Sequence, residues 1–572
     1  MDRKHRPVWI AGVLLATSIV LIAFRLHAFN LPLETDEANY AYIGGRLLAS
    51  DRLYVDVWDH QPPGVFALFA VVIATFGDAP EVFRWLASAF ALGTLFLIYL
   101  IVRHVAGVRW GLFAATLFAV LSSDPGTAGE GCNREIYMNT LLLAGWYAAL
   151  RTREDQTRSR ATAWLLASGS AFAAASFLKT IVATHWFAVA GWLAWQEFRS
   201  AGNSRRQGRR PAPIVALFAV PPAALWIATL VYFGLTDRLA LFTDAVFGFN
   251  LAYSQGNGSF WTRFVTFFTP GDKPYLQPFI FDSAFPLWIT ALLAVPTLLT
   301  VMVFSSRVPS DPSRVGDSTA TVRERPTRNS GATGPSSAAP ALLMLLASYL
   351  ATCLPAQFWP HYYYLLLPPA IIVTTMALNR LCNFLPGARN QRIAAIVAAT
   401  ALTIALLSSQ YRHYLSQPPF GITVIRYNGR DFWGRAQGEN VRSVTEPDDE
   451  IFVYGADAAI YYYAQRTCAS RYTMLTGLRS GYAGHAQRRA TMLREIAERR
   501  PRLILVVLGE ESFPEWSQFL PTHYDAVGWD FRDRPPHDPI LMILCDRERP
   551  IAEIDWNWDR TSVGGWNLGD AH

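Results

Sequence analysis

Across its 572 residues the chain is 52% hydrophobic and 13% aromatic but only 16% charged, with a mean hydropathy of +0.18; this excludes an ordinary soluble globule and points to a polytopic membrane protein. A formal net charge of +6 would suit a nucleic-acid partner, but Lys and Arg fall in short runs between apolar segments, as topology determinants do, so no such partner is expected. Cys132, Cys353, Cys382, Cys468 and Cys545 form no CxxC pair, and no His stands at metal-ligand spacing, so neither a zinc site nor a disulfide framework is specified and the redox compartment stays open.

The N-terminal stretch "MDRKHRPVWIAGVLLATSIVLIAF" joins a basic head to an apolar run without a small-residue cleavage site. It predicts a retained first span rather than a removed signal peptide. A membrane helix needs about 20 mostly apolar residues. Runs of that kind fall near 8–24, 81–102, 109–122, 136–150, 161–178, 181–195, 212–234, 283–304, 340–354, 362–380 and 392–410. The basic loops "MDRKHR", "RHVAGVRW", "RTREDQTRSR", "EFRSAGNSRRQGRR", "RVPSDPSRVGDSTATVRERPTRNS" and "NRLCNFLPGARNQR" are all expected on the cytoplasmic side. A crossing by the apolar stretch 63–77, "PGVFALFAVVIATFG", would put every later basic loop outside. That stretch is short and begins with Pro-Pro-Gly, so it is expected to lie in the outer interface. About eleven spans then remain, with the N-terminus cytoplasmic and the polar segments 25–80, 123–135, 235–282 and 355–361 outside.

The Ser-, Pro-, Thr- and Arg-rich stretch 306–339 reads as a flexible cytoplasmic loop within the module 1–410. From 411 to 572 the apolar density drops. "EIFVYG", "RLILVVLG" and "PILMILCD" read as buried strands and "HAQRRATMLREIAERRP" as an amphipathic helix, which predicts a small extracytoplasmic α/β domain. No internal repeat is visible, which weakens a transporter built from inverted repeats.

Each outward polar segment carries groups suited to activating a hydroxyl or holding a phosphate. The first, "ETDEANYAYIGGRLLASDRLYVDVWDHQPPG", supplies Asp36, Glu37, Asp59 and His60. The next supplies Asn133, Arg134 and Glu135, the turn after the span at 161 supplies Lys179, and "FWPHYYYLLLPP" supplies His361 with Tyr362 and Tyr363. Plainer readings stand beside these: Asp36 and Glu37 as solvated loop charge, Lys179 as an interfacial lysine, Glu135 and Arg134 as residues of a helix start, and His361 with its tyrosines as an aromatic belt.

Taken together, these stretches with "CNREIYMNTLLL" and "SFLKTIVA" resemble the glycosyltransferase-C superfamily, specifically the bacterial members related to protein O-mannosyltransferases and the lipid A aminoarabinose transferases. The resemblance covers roughly residues 1–410. It implies that Asp36, with Glu37 beside it, is the catalytic carboxylate, and that the first external loop carries two membrane-parallel helices at about 37–50 and 63–77. It places His60, Glu135, Lys179, His361 and Tyr362 at the donor phosphate and substrate, and Arg134, next to Glu135, joins them as a candidate cation. Aminoarabinose transferases carry a Lys directly before the Pro of this loop, where this chain has Gln61, a departure that bears on the phosphate contact.

The activity so implied is inverting transfer of a sugar from a polyprenyl-phosphate donor to a glycan, lipid or protein acceptor, at the outer face of the cytoplasmic (inner) membrane. Asp36 would take the proton of the attacking hydroxyl and Lys179, His60 and Arg134 would meet charge on the leaving phosphate. No cofactor is expected to be required, with a divalent ion bridging Asp36 and Glu135 as the alternative. The competing readings are a transporter or flippase for a lipid-linked substrate, which would carry its ionisable groups at mid-membrane, and a catalytically inert assembly protein.

Overall fold

The computed structural model describes residues 6–152, 157–206, 214–255, 259, 261–268, 284–305, 338–411, 414, 421, 430–455, 457–531 and 539–551. The loop expected at 306–339 and part of the outer segment 235–282 therefore lie largely outside the described residues. The chain begins with α1 (Arg6–Leu26), α2 (Thr35–Leu48), α3 (Pro63–Phe76), α4 (Pro80–Ala106), α5 (Val108–Leu121), α6 (Arg134–Arg151), α7 (Arg158–Leu178), α8 (Ala183–Arg206) and α9 (Ile214–Leu235). Further helices cover Phe285–Ser305, Ala338–Cys353 and Ala388–Tyr411, with Pro360–Asn383 forming one long apolar segment. All eleven apolar runs read from the sequence are thus helical. Among the described residues six helices are long and apolar enough to cross a bilayer: Pro7–Leu26, Pro80–Ala106, Arg158–Leu178, Ile214–Leu235, Pro360–Asn383 and Ala388–Tyr411.

Several polar groups inside the bundle pair across helices, as a low-dielectric interior favours. The indole N–H of Trp146 on α6 donates to His185 Nδ1 on α8 at 3.1 Å, and His185 Nε2 meets the Ser348 hydroxyl at 3.1 Å. Ser168 of α7 donates to the Gly145 carbonyl of α6 at 2.8 Å.

The segment between α1 and α4 folds into two helices at the positions that the resemblance implied. A capping box of Glu34 and Glu37 starts α2, satisfying donors that a helix N-terminus otherwise leaves bare. Pro62 and Pro63 start α3, whose 14 residues reach only about 21 Å, short of the ~30 Å hydrocarbon core. The following glycine is a packing requirement: a Cβ on Gly64 would stand 2.3 Å from the Phe177 carbonyl oxygen. This close approach seats the His60–Gly64 segment on the C-terminal end of α7, beside Lys179.

Beyond the bundle a five-stranded sheet forms in the order β2-β1-β3-β5-β4, from β1 (Glu450–Tyr454), β2 (Thr467–Cys468), β3 (Leu503–Val507), β4 (Tyr524–Phe531) and β5 (Pro539–Asp546). β1 runs parallel to β2 and β3, whereas β5 is antiparallel to both β3 and β4. The three strands expected from apolar runs are β1, β3 and β5; the two outer strands, β2 and β4, carry no such run. The helix read from "HAQRRATMLREIAERRP" spans His485–Arg499. This unit docks on the segment between α1 and α4. Trp58 N–H donates to the Arg471 carbonyl at 2.9 Å, Leu33 N–H to the Tyr463 hydroxyl at 2.8 Å, and Cys468 N–H to the Tyr42 hydroxyl at 2.8 Å.

Candidate active site

The structure brings Asp36, His60, Arg134, Lys179, His361 and Tyr362, but not Glu37 or Glu135, to the walls of two adjoining hollows. A small polar chamber of about 170 Å³ is lined by Asp36, Tyr40, Asp59, Arg134 and His361, among others. A larger cavity of about 780 Å³ is lined by Lys179, Val246, Phe247, Leu251 and Arg263, among others. His60, Gln61, Tyr253 and Tyr362 line both, so they form a shared wall.

Asp36 and Glu37 part company because successive residues on a helix point about 100° apart. The Asp36 carboxylate is 33% exposed and lies 3.9 Å from His361 Nε2. Burial at the chamber floor raises its pKa, against the pull of Arg134 and Lys179. Glu37 does not line the chamber. It is 1% exposed, pairs with Arg84 of α4 at 3.1 Å, and accepts the Cys132 and Glu34 backbone N–H groups at 2.5 and 3.1 Å. It joins three chain segments.

Lys179 caps α7 and is 5% exposed. Its ammonium donates to Glu135 Oε1 at 2.8 Å and lies 3.6 Å from the centre of the Tyr362 ring. Burial, with the nearby Arg134 charge, pulls its pKa down to about 7, while Glu135 works to keep the proton on. Glu135 is thus the brace of Lys179 and faces neither hollow. Arg134 donates to the Tyr40 hydroxyl, stacks over that ring at 5.5 Å, and passes 3.6 Å from Glu135 Oε1. Its Nε has no hydrogen-bond partner among the described residues.

His60 differs from the cation expected of it. Desolvation, then Arg134 and Lys179, lower its pKa to about 3, so the ring is neutral at physiological pH. The Gln61 amide donates to His60 Nε2 at 2.7 Å, leaving the ring proton on Nδ1, which faces Asp59 Oδ1 at 3.5 Å. Gln61 therefore orients the histidine. Asp59 accepts Asn39 Nδ2 at 2.7 Å and the Gln61 N–H at 2.9 Å, and burial raises its pKa to about 7.

A metal ion bridging Asp36 and Glu135 would compete with the Lys179 ammonium, which already holds Glu135 Oε1 at 2.8 Å. Among the described residues no group of three or more His, Cys, Asp or Glu side chains gathers as a metal site. Tyr253 and the chamber-lining Met474 and Thr476 were not legible as site residues. One is a tyrosine in the apolar helical stretch Leu239–Ser254, and the others stand in the C-terminal unit without any motif.

The chain is similar to known proteins in part of its sequence and in its fold. The sequence pattern of the family described as dolichyl-phosphate-mannose-protein mannosyltransferase matches residues 60–231. Two solved structures share the fold. ArnT from Cupriavidus metallidurans bound to undecaprenyl phosphate superposes with a TM-score of 0.56 at 14% identity, covering 95% of this chain and 98% of that one. The apo state of ArnT gives 0.55 at 15% identity, covering 94% and 98%. No curated protein matches in sequence. The resemblance to the glycosyltransferase-C superfamily read from the sequence is borne out, with an ArnT-like fold.

Proposed function

We propose that this chain is an inverting glycosyltransferase that moves a sugar from a polyprenyl-phosphate donor to an envelope acceptor at the outer face of the cytoplasmic membrane. The observation that carries the reading is the pair of hollows: the one candidate base open to solvent, Asp36, lines only the chamber, and the buried ammonium of Lys179 lines only the larger cavity. Displacement with inversion requires the attacking hydroxyl and the departing phosphate on opposite faces of the sugar. A sugar at the shared wall of His60, Gln61, Tyr253 and Tyr362 would meet both.

In that arrangement the acceptor oxygen attacks the anomeric carbon as its proton passes to Asp36. The bond from that carbon to the phosphate oxygen breaks, and a phosphodiester with one negative charge becomes a polyprenyl phosphate monoester with two. Lys179, fixed by Glu135 and Tyr362, is aimed at the charge that develops, which is where preorganised cations lower a barrier. Neutral His60, held by Gln61 and Asp59, supplies a positioned ring. The apolar residues of the larger cavity suit a prenyl chain next to the phosphate, and undecaprenyl phosphate is what the matched ArnT structure holds. The reading includes eleven crossings, a cytoplasmic N-terminus, and chamber and C-terminal unit both outside.

The test is glycan mass spectrometry on the envelope of cells carrying wild-type protein, no protein, or Asp36→Asn. The variant is expected to accumulate normally and to lower the sugar-bearing product about 10²- to 10⁴-fold, the usual contribution of a general base. Wild-type product levels in Asp36→Asn would reject the assigned base, and an envelope indifferent to the protein would reject the transferase reading.

A further inference from the structure

The C-terminal unit does more than sit above the bundle. Its segment Tyr472–Leu478 packs on Trp58, two residues before His60, so closely that a Cβ on Gly477 would stand 2.7 Å from the indole. Along this segment burial alternates. Tyr472, Thr473, Leu475 and Gly477 are buried, whereas Met474 and Thr476 are half-exposed and line the Asp36 chamber. Neither lines the Lys179 cavity.

Thr473 is tied to the chamber from behind. Its hydroxyl donates to Asn39 Oδ1 at 2.8 Å across a separation of 434 residues. Asn39 in turn donates to Asp59 at 2.7 Å, and Asp59 accepts the Gln61 N–H at 2.9 Å. Thr473, Asn39 and Asp59 are all nearly fully buried, where a satisfied hydrogen-bond chain fixes geometry and a broken one is costly. The segment is therefore held in register with the wall that the two hollows share.

We infer that Met474 and Thr476 form the acceptor-side wall of the active site and determine which hydroxyl reaches Asp36, with Thr473 as the residue that positions them. The inference rests on the transfer reading above. If phosphate departs toward Lys179, the acceptor must arrive from the opposite side, where these two side chains stand. A chamber of about 170 Å³ admits only the reacting end of an acceptor, being smaller than the roughly 300–1,000 Å³ pockets that enclose whole ligands. The side chains at its mouth then select among acceptors by shape and by one hydroxyl.

The test uses full-length protein with two readouts: binding of undecaprenyl phosphate to the purified protein, and the set of sugar-bearing envelope products made in cells. Met474→Ala and Thr476→Val are expected to keep the dissociation constant for undecaprenyl phosphate within about twofold, which is under 0.5 kcal/mol. They should change the ratio of products, or lower the principal one, by about tenfold or more, the scale on which a pocket discriminates single groups. Retained carrier binding itself reports the fold. Where Met474→Ala does not accumulate, the volume-matched Met474→Leu carries the test. Thr473→Val should lose product and Thr473→Ser, which keeps the hydroxyl, should recover it. An unchanged product set, or product and carrier binding lost in parallel, would overturn the inference. Failure of the transfer reading is separable, because the wild-type envelope would then match that of Asp36→Asn.

Discussion

Removing the Lys179 ammonium separates the two tasks this residue performs. In Lys179→Met the Glu135 carboxylate, 1% exposed, loses its partner at 2.8 Å and keeps Arg134, whose Nε is 3.6 Å away, and the neighbouring His361. Breaking a buried ion pair from one side costs about 3–5 kcal/mol, and the remaining guanidinium argues for the lower end. Removing both partners, Glu135→Gln with Lys179→Met, leaves neither of the two without its counterion, and Arg134 keeps the Tyr40 hydroxyl and the Asp36 charge, so most of the lost stability should return. It does not restore a cation beside the leaving phosphate. Transfer by the double variant should therefore stay about 10²- to 10³-fold below wild type, or about 2.7–4 kcal/mol, the loss seen when one preorganised charge partner of a transition state is deleted. The assay is a double-mutant cycle, with thermal unfolding in detergent and sugar transfer per folded protein as its two readouts. A double variant that regains both stability and transfer would refute the argument, since Lys179 would then serve only to neutralise Glu135.

Two further expectations follow from the same geometry. The base must be ionised and the ammonium protonated. Since the Asp36 pKa is raised by burial, kcat/KM should rise with pH along a limb displaced above that of a free carboxyl. It should then fall as pH passes through about 7, where Lys179 loses its proton in the empty enzyme. Lys179→Arg, with a pKa above about 12, should remove the falling limb from a pH–rate profile taken up to pH ~10, whatever its residual rate. Glu37→Gln, at the junction of Arg84 and the Cys132 N–H, should cost about 2 kcal/mol of stability by weakening charge-assisted hydrogen bonds, and thermal unfolding would show it. Transfer per folded Glu37→Gln protein should stay near wild type; a loss as deep as that of Asp36→Asn would return Glu37 to the chemistry.

Much of this arrangement can be read from residue order, because hydropathy and basic loops act through solvation by lipid and water and leave a local signature. The stretch 63–77 is one case: its apolar composition and its Pro-Pro-Gly start favour a short helix, and α3 spans Pro63–Phe76. Polar segments far apart in the chain likewise converge, with Asp36, His60, Arg134, His361 and Tyr362 at one chamber and Lys179 just across the wall. What was hidden depends on direction and on distance along the chain. Asp36 and Glu37 look alike as a pair, and only the rotation of α2 sends one to the chamber and the other to Arg84. Gln61 reads as a lost phosphate ligand until its amide is seen to orient His60. Met474 and Thr476 face Asp36 from a separate unit, in a contact that no local pattern encodes. The strand β4, "YDAVGWDF", breaks the apolar alternation with Asp525, Gly528 and Asp530, and finds its place only by pairing with β5.

The account turns on a base and a cation flanking a single sugar phosphate. A cryo-electron microscopy structure of the full chain with undecaprenyl phosphate tests this most directly. The phosphate is predicted in the larger cavity within hydrogen-bond reach of Lys179 Nζ, about 3 Å, with the Asp36 carboxylate on the far side of the His60–Tyr362 wall and the chamber left open. A phosphate seated in the chamber against Asp36, or bound away from both hollows, would contradict it.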